Sequence, residues 1–93
     1  MRITFDPAKR DRTLVERGLD FGWAAEVFDD FHLTFPDERV DYGEPRFVSV
    51  GRLRDRMLIV VWTPRGEARH VISMRKANGR EQRRFQERLD RFG

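Results

Sequence analysis

The sequence predicts an α+β fold in one domain, residues 1–93, with two N-terminal helices, a three- to four-stranded antiparallel sheet and a C-terminal helix. Helix signals lie near both ends of the chain, and short β-branched runs lie between them. A chain of 93 residues has room for one core only. With 39% apolar and 12% aromatic residues, it can build that core although 38% of its residues are charged.

The N-terminal region combines a short strand pattern with two helix signals. Residues 2–5 form a strand candidate. Asp6 and Pro7 then begin a helix, because Asp caps free amides and Pro at the first helical position loses no hydrogen bond; Gly18 ends it. Asp20 begins a second helix with a single apolar stripe at i, i+3, i+4 and i+7, formed by Phe21, Ala24, Ala25 and Phe28.

Strand patterns fill the middle of the chain. They cover residues 32–35, 46–51, 57–63 and 68–74. The third is the most apolar and β-branched, which is typical of a central strand. The turn signal Pro64-Arg65-Gly66-Glu67 folds the fourth strand back antiparallel to the third.

A final helix begins near Asn78. Asn78 as N-cap and Glu81 three residues later resemble a capping box. One face of the helix is apolar and contains Phe85, Leu89 and Phe92. A neighbouring stripe, about 80° wide, carries Arg80, Arg84, Arg88 and Arg91. A solvated charged face is the ordinary alternative for such a stripe.

Charge is distributed unevenly along the chain. The net charge is +3, but residues 1–44 hold 6 basic and 11 acidic residues, whereas residues 64–93 hold 9 basic and 4 acidic ones. Clustered cations attract phosphates, so the basic half indicates an anionic partner. The alternative is compositional: Lys9 and Lys76 are the only lysines among 19 basic residues, as expected of an arginine-favouring genome.

Strand alternation in residues 69–75 predicts which side chains share a face. Arg69, Val71, Ser73 and Arg75 fall on one face, and His70, Ile72 and Met74 on the other. Two guanidiniums on one face suit successive backbone phosphates, because each donates two parallel hydrogen bonds. The alternative is that both arginines pair with carboxylates on a solvated face.

Several classes of site and location are excluded or disfavoured. The chain has no cysteine, and its two histidines, His32 and His70, form no HxxxH or HExxH spacing, so we expect neither a metal site nor a cofactor. P-loop and dinucleotide fingerprints are absent. No apolar window is long enough for a membrane span or a secretory signal, which favours a cytoplasmic protein.

The order and spacing of these segments resemble the BrnT family of toxins, small ribonucleases of type II toxin–antitoxin systems with a RelE-like fold. The similarity rests on Glu44, Arg46 and the segments FDPAK (5–9), RGLDF (17–21), AEVFDD (25–30), LIVVWT (58–63), VISMR (71–75) and EQRRF (81–85). The chain departs from the family pattern in having Arg17 before Gly18 instead of histidine, and in having His70 and Phe85 where arginine and tyrosine are common.

The resemblance implies an endoribonuclease that cuts RNA without a metal and blocks translation and growth. Arg75 and Arg46 would contact the phosphate in the transition state, Lys9 would add a second cation, and Glu44 would act as a base or orient Arg46. Flanking RNA would be bound by Arg69, Arg80 and Arg84.

The resemblance also implies partners. These are an RNA substrate and a cognate antitoxin, a small DNA-binding protein, in a dimer or a toxin–antitoxin heterotetramer. Two other interpretations remain: a non-catalytic module that binds nucleic acid or protein, and a transcription factor. The sequence contains no helix-turn-helix spacing that would favour the latter.

Overall fold

The computed structural model describes residues 1–39 and 41–92. Its strands are β1 (Arg2–Phe5), β2 (His32–Pro36), β3 (Phe47–Leu53), β4 (Arg56–Arg65) and β5 (Ala68–Lys76). Its helices are α1 (Pro7–Arg17), α2 (Ala24–Asp29) and α3 (Gly79–Phe92), and a 3₁₀ turn (Phe21–Trp23) precedes α2. Within the described residues, the strands form one sheet in the order β1-β5-β4-β3-β2.

The predicted α+β class is confirmed, but the predicted sheet is wrong in two respects. The sheet has five strands and is mixed, because β1 pairs parallel with β5 while the other pairs are antiparallel. Parallel partners are joined by long crossovers, so nothing near β1 in the sequence indicates its partner. Asp20 caps the 3₁₀ turn rather than a helix, and α2 is correspondingly short.

Helix α1 begins and ends as predicted. The Asp6 carboxylate accepts a hydrogen bond from the Ala8 amide (2.9 Å), and Gly18 adopts the left-handed conformation (φ 67°) that closes the helix. No residue of α1 is buried. Polar contacts attach it instead: Arg10 donates two 3.0 Å hydrogen bonds to Asp20, and Arg17 donates one to the Met74 carbonyl of β5.

Each face of the sheet has its own core. The α2 face packs against the 3₁₀ turn and α2, and its buried residues include Leu19, Phe21, Ala24, Val27, Phe28, Leu58, Val60, Trp62, Val71 and Met74. The α3 face packs against α3 through Leu33, Val50, Met57, Ile59, Ala77, Phe85 and Leu89. Phe92, predicted to share the apolar face of α3, is 61% exposed at the helix end. Among the described residues, no helix is long and apolar enough to cross a membrane.

A β-bulge in β5 overturns the predicted face assignment. Val61 lies opposite Ser73 and Trp62 lies opposite Val71, which leaves Ile72 as an extra residue. Because side chains alternate, this extra residue inverts the pattern on one side of it. Arg75 and Ser73 therefore lie on the α3 face, Arg69 lies on the α2 face, and the prediction that Arg69 and Arg75 share a face is wrong.

The bulge also moves His70. The sequence pattern grouped it with Ile72 and Met74, but it pairs with Thr63 of β4. Thr63 is two residues from Val61 on a regular strand, so both lie on the α3 face. His70 consequently lies on the same sheet face as Arg75.

Gly51 is required where α2 crosses β3. A Cβ atom at this position would lie 2.7 Å from Val27 Cγ1 and 3.3 Å from His32 Cβ. We expect Gly51→Ala to destabilise the protein by about 1–3 kcal/mol through overpacking, measured by urea denaturation. Gly79→Ala is the matched control, since its Cβ would meet only the flexible end of Arg83. Equal stability of Gly51→Ala and the unsubstituted protein would contradict the assigned contact.

Candidate functional site

A cleft of about 460 Å³ opens on the α3 face, between the start of α3 and the segment that follows β2. Its floor is formed by Val48, Val61 and Ser73, which lie side by side on β3, β4 and β5. Phe35 and Phe85, whose ring centroids are 5.6 Å apart, form one wall. The cleft exists because α3 covers only part of this sheet face.

Three guanidinium groups from separate elements line the cleft. Arg39 follows β2, Arg75 lies on β5, and Arg84 lies on α3. Arg39 is close enough that its charge opposes the rise in the pKa of Arg75 that Glu81 causes. The carboxylates of Asp37, Glu38 and Glu81 also line the cleft, so its three guanidiniums are balanced in formal charge and a phosphate would share these donors with the carboxylates. The sequence predicted functions for Arg75 and Arg84 but not for Arg39.

Carboxylates hold two of these three arginines. Glu81 accepts two 2.7 Å hydrogen bonds from Arg75, and Arg39 donates bonds of 2.8 and 3.0 Å to Asp37. The Arg39 guanidinium lowers the pKa of the Asp37 carboxyl despite burial of that carboxyl. The alternative that a strand arginine pairs with a carboxylate is therefore confirmed for Arg75, whereas Arg69 forms no such pair within the described residues. Arg84, by contrast, forms no ion pair within the described residues, and its guanidinium lies over the Phe85 ring at 5.0 Å.

Glu81 links the cleft to the start of α3. Its carboxylate accepts a bond from the Asn78 amide, and its own amide donates to the Asn78 side chain, each at 2.9 Å. This reciprocal pair confirms the predicted capping box. The Arg75 hydrogen bonds, opposed by partial burial, lower the pKa of Glu81 to about 2. Glu81 is therefore ionised at neutral pH and fixes the orientation of Arg75.

The Glu81 pKa predicts a specific acid sensitivity. A carboxyl whose pKa falls from about 4.5 to about 2 on folding stabilises the folded protein above pH 4.5, and this contribution is lost as the pH falls towards 2. We expect Glu81→Gln to remove about 1–2 kcal/mol of pH-dependent stability in that window, a reduced figure because Arg75 is solvated. Urea denaturation from pH 2 to 7 measures this, with the exposed Glu87→Gln as control. An unchanged acid slope in Glu81→Gln would contradict the assignment.

Arg46 and Glu44 lie in a pocket that adjoins the cleft and shares Pro36, Asp37 and Glu38 with it. Glu44 lies 3.7 Å from Arg46 and 4.0 Å from Arg65. The Arg46 guanidinium is 3.8 Å from the centroid of the Tyr42 ring, and its buried Nε has no hydrogen-bond partner within the described residues. Arg46 is thus held in place by Tyr42 and Glu44.

The remaining predicted residues lie outside the cleft. Lys9 borders a depression between α1 and β5 that meets the cleft at Ser73. Arg80 is exposed on the first turn of α3. Arg69 lies on the opposite sheet face, between the rings of Phe28 (4.5 Å) and Trp62 (4.6 Å), so it cannot contribute to the cleft. The fold therefore brings only some of the predicted site residues together at the cleft.

The two histidines have different environments. His70 Nδ1 lies 2.8 Å from the Thr4 hydroxyl, and burial, assisted by the charge of Arg65, lowers the His70 pKa. Its imidazole is consequently neutral at pH 7. His32 bonds to the Asp30 carbonyl (2.9 Å) and packs edge-to-face on Phe28, which indicates a structural role. No group of three or more metal-ligating side chains occurs in residues 1–39 and 41–92.

This arrangement can bind a phosphodiester and stabilise negative charge on it, because its donors are guanidinium forks. Residues 5–81 of the chain match a family model described as the ribonuclease toxin, BrnT, of type II toxin–antitoxin systems. The matched region contains Arg39, Arg46 and Arg75, whereas Arg84 lies beyond it. A comparison with curated proteins found no match.

Proposed function

Because the chain belongs to the BrnT family of ribonuclease toxins of type II toxin–antitoxin systems, we propose that it is an endoribonuclease whose active site is the cleft on the α3 face. The observation that carries the proposal is the convergence of Arg39, Arg75 and Arg84 on one cleft. Family membership supplies the class of activity, and the cleft supplies the surface that the phosphates would occupy.

The proposed reaction needs no metal. The ribose 2′-hydroxyl loses its proton to solvent water and attacks the adjacent phosphorus. The bond to the 5′-oxygen breaks, that oxygen takes up a proton from water, and the products are a 2′,3′-cyclic phosphate and a 5′-hydroxyl. Negative charge grows on the non-bridging oxygens during the attack. Arg75, already oriented by Glu81, donates to those oxygens in our proposal, which is electrostatic stabilisation by a preorganised donor.

The other residues take supporting roles. Arg46 and Lys9 would contact phosphates on either side of the cleft, with Glu44 as the positioning residue for Arg46, and Arg80 would extend the contact surface of Arg84. His70 lies four pair positions from Arg75 along β5, because the bulge takes up one residue, and this is roughly 13 Å along the backbone at about 3.3 Å per residue. We therefore give His70 no role at the phosphate that Arg75 holds. We accordingly assign the rate enhancement to electrostatic stabilisation and not to a histidine acid–base pair.

Incubation of the purified protein with single-stranded RNA in EDTA tests the proposal. We expect cleavage that resists chelation and leaves 2′,3′-cyclic phosphate ends. Activity that disappears in EDTA and returns with a divalent cation would contradict the metal-free reaction. Binding without products would favour the alternative, a non-catalytic nucleic-acid-binding module.

The type II family also implies a cognate antitoxin. We propose that this antitoxin, a DNA-binding protein, neutralises the toxin by covering the cleft with an acidic segment, and that free toxin stops growth by cutting RNA needed for translation. Arg84, the cleft arginine without a carboxylate partner among the described residues, supports such a segment. An antitoxin that leaves RNA binding unchanged would contradict this part of the proposal.

A further inference from the structure

We infer that the cleft is a base-binding subsite, which receives one unstacked nucleobase of single-stranded RNA while its rim holds the phosphates. This inference rests on the proposed function, because it specifies how the RNA substrate enters the proposed active site. It makes single-stranded RNA the substrate class and duplex RNA a poor ligand.

The floor of the cleft is more apolar than phosphate binding requires. Val48 and Val61 lie on central strands, yet both remain partly exposed because α3 does not cover them. Ser73 is the one polar side chain beside them on the floor. A phosphate gains nothing from contact with such a surface, whereas a nucleobase buries its apolar faces on it.

The wall of the cleft suits the base, and the arginines of its rim suit the backbone phosphates. The partly exposed Phe35, backed by the buried Phe85, forms an aromatic wall on which a base can stack. Arg84 adjoins that wall and has no carboxylate partner among the described residues. A base against Phe35 would therefore place its own phosphate near Arg84, with Arg75, which Glu81 holds at the first turn of α3, available for the next one.

Duplex RNA cannot use this surface. Its bases are paired inside the helix, and its major groove is too deep and narrow for side chains to read them. The residues at the rim, Arg39 on one side and Arg84 on the other, would meet the phosphates of a duplex and keep its bases off the floor. A duplex thus gains the electrostatic contacts alone.

Two measurements on the full chain test the inference. The first is binding of a fluorescent 2′-O-methyl oligonucleotide, which lacks the attacking hydroxyl, as a single strand and as a duplex of the same sequence. We expect the single strand to bind about tenfold or more tightly than the duplex. Val61→Trp, which fills the floor, should remove this preference, whereas Val15→Trp on the exposed face of α1 should keep it.

The second measurement does not depend on a filled cleft. Phe35→Trp adds a third tryptophan, in the wall, to Trp23 and Trp62. The single strand, but not the duplex, should quench the emission of this variant more than it quenches that of the unsubstituted protein. Each of three results would overturn the base-binding subsite. They are equal affinity for the single strand and the duplex, an unaltered preference for the single strand in a folded Val61→Trp protein, and no quenching of the Trp at position 35. Persistent cleavage in such a case would leave the proposed function intact, whereas a protein that neither binds nor cuts RNA would overturn both.

Discussion

Replacing Arg75 with alanine is expected to lower the rate of RNA cleavage about a hundred- to a thousandfold, the usual effect of removing one preorganised donor from a developing oxyanion. Arg75 is the cleft arginine that projects from the sheet itself, and Glu81 fixes the orientation of its fork. Arg75→Lys should recover little of the loss, because an ammonium group keeps the charge but not the planar fork. Single-turnover cleavage of a short RNA measures the effect.

The control for this prediction comes from the same strand. Arg69→Ala removes an equal charge from the opposite sheet face and should leave the cleavage rate within about threefold of the unsubstituted protein, since salt-screened charges act weakly across the sheet. Thermal melting must accompany both variants, because Arg69 packs on Phe28 and Trp62. A folded Arg75→Ala protein that cleaves at the original rate would place the active site elsewhere.

Replacing Leu58 with alanine is expected to destabilise the protein by about 3 kcal/mol, the largest effect we anticipate on stability. Leu58 is fully buried on the central strand β4, in the same cluster as Phe21 and Met74. The lost transfer energy and the cavity both contribute. For a domain of this size, the melting temperature should fall by about 12–20 °C.

Val15→Ala is the matched control for Leu58→Ala. Val15 is 86% exposed on α1, so its truncation should change stability by less than about 0.5 kcal/mol. Urea denaturation of both variants measures the difference. A loss below about 1 kcal/mol in Leu58→Ala would contradict the assigned core.

The features that could be predicted from the sequence are those set by neighbouring residues. Asp6 and Gly18 bound α1, and the Asn78–Glu81 pair begins α3, because each cap depends on residues within one helical turn. The predicted strands exist for the same reason, since β-branched alternation is local. The buried residues of α3, Phe85 and Leu89, also follow from periodicity.

The features that could not be predicted depend on distant pairing. The parallel partner of β1 is set more than sixty residues away along the chain. The extra residue Ile72 has no local signature, because a bulge arises from the fit between β5 and β4. Arg39 follows β2 outside any periodic element, and only the folded chain brings it to the cleft.

The bulge has direct consequences for the candidate site. It places Arg75 and Ser73 on the α3 face and removes Arg69 from it, so the arginine pair expected from simple alternation is not formed. The cleft is lined instead by Arg39, Arg75 and Arg84, and in the proposed function Arg39 and Arg84 take the place of Arg69. A site assembled in this way depends on tertiary structure more than on one strand.

The most direct test of the central claim is a titration of the ¹⁵N-labelled protein with a single-stranded 2′-O-methyl oligonucleotide, followed by NMR chemical shifts. We predict the largest shifts at Arg39, Ser73, Arg75 and Arg84, around the cleft on the α3 face. The indole N–H of Trp62, which donates to Ser49 on the α2 face, should be unaffected. Shifts concentrated on Trp62 and Arg69, with the cleft unchanged, would contradict the account.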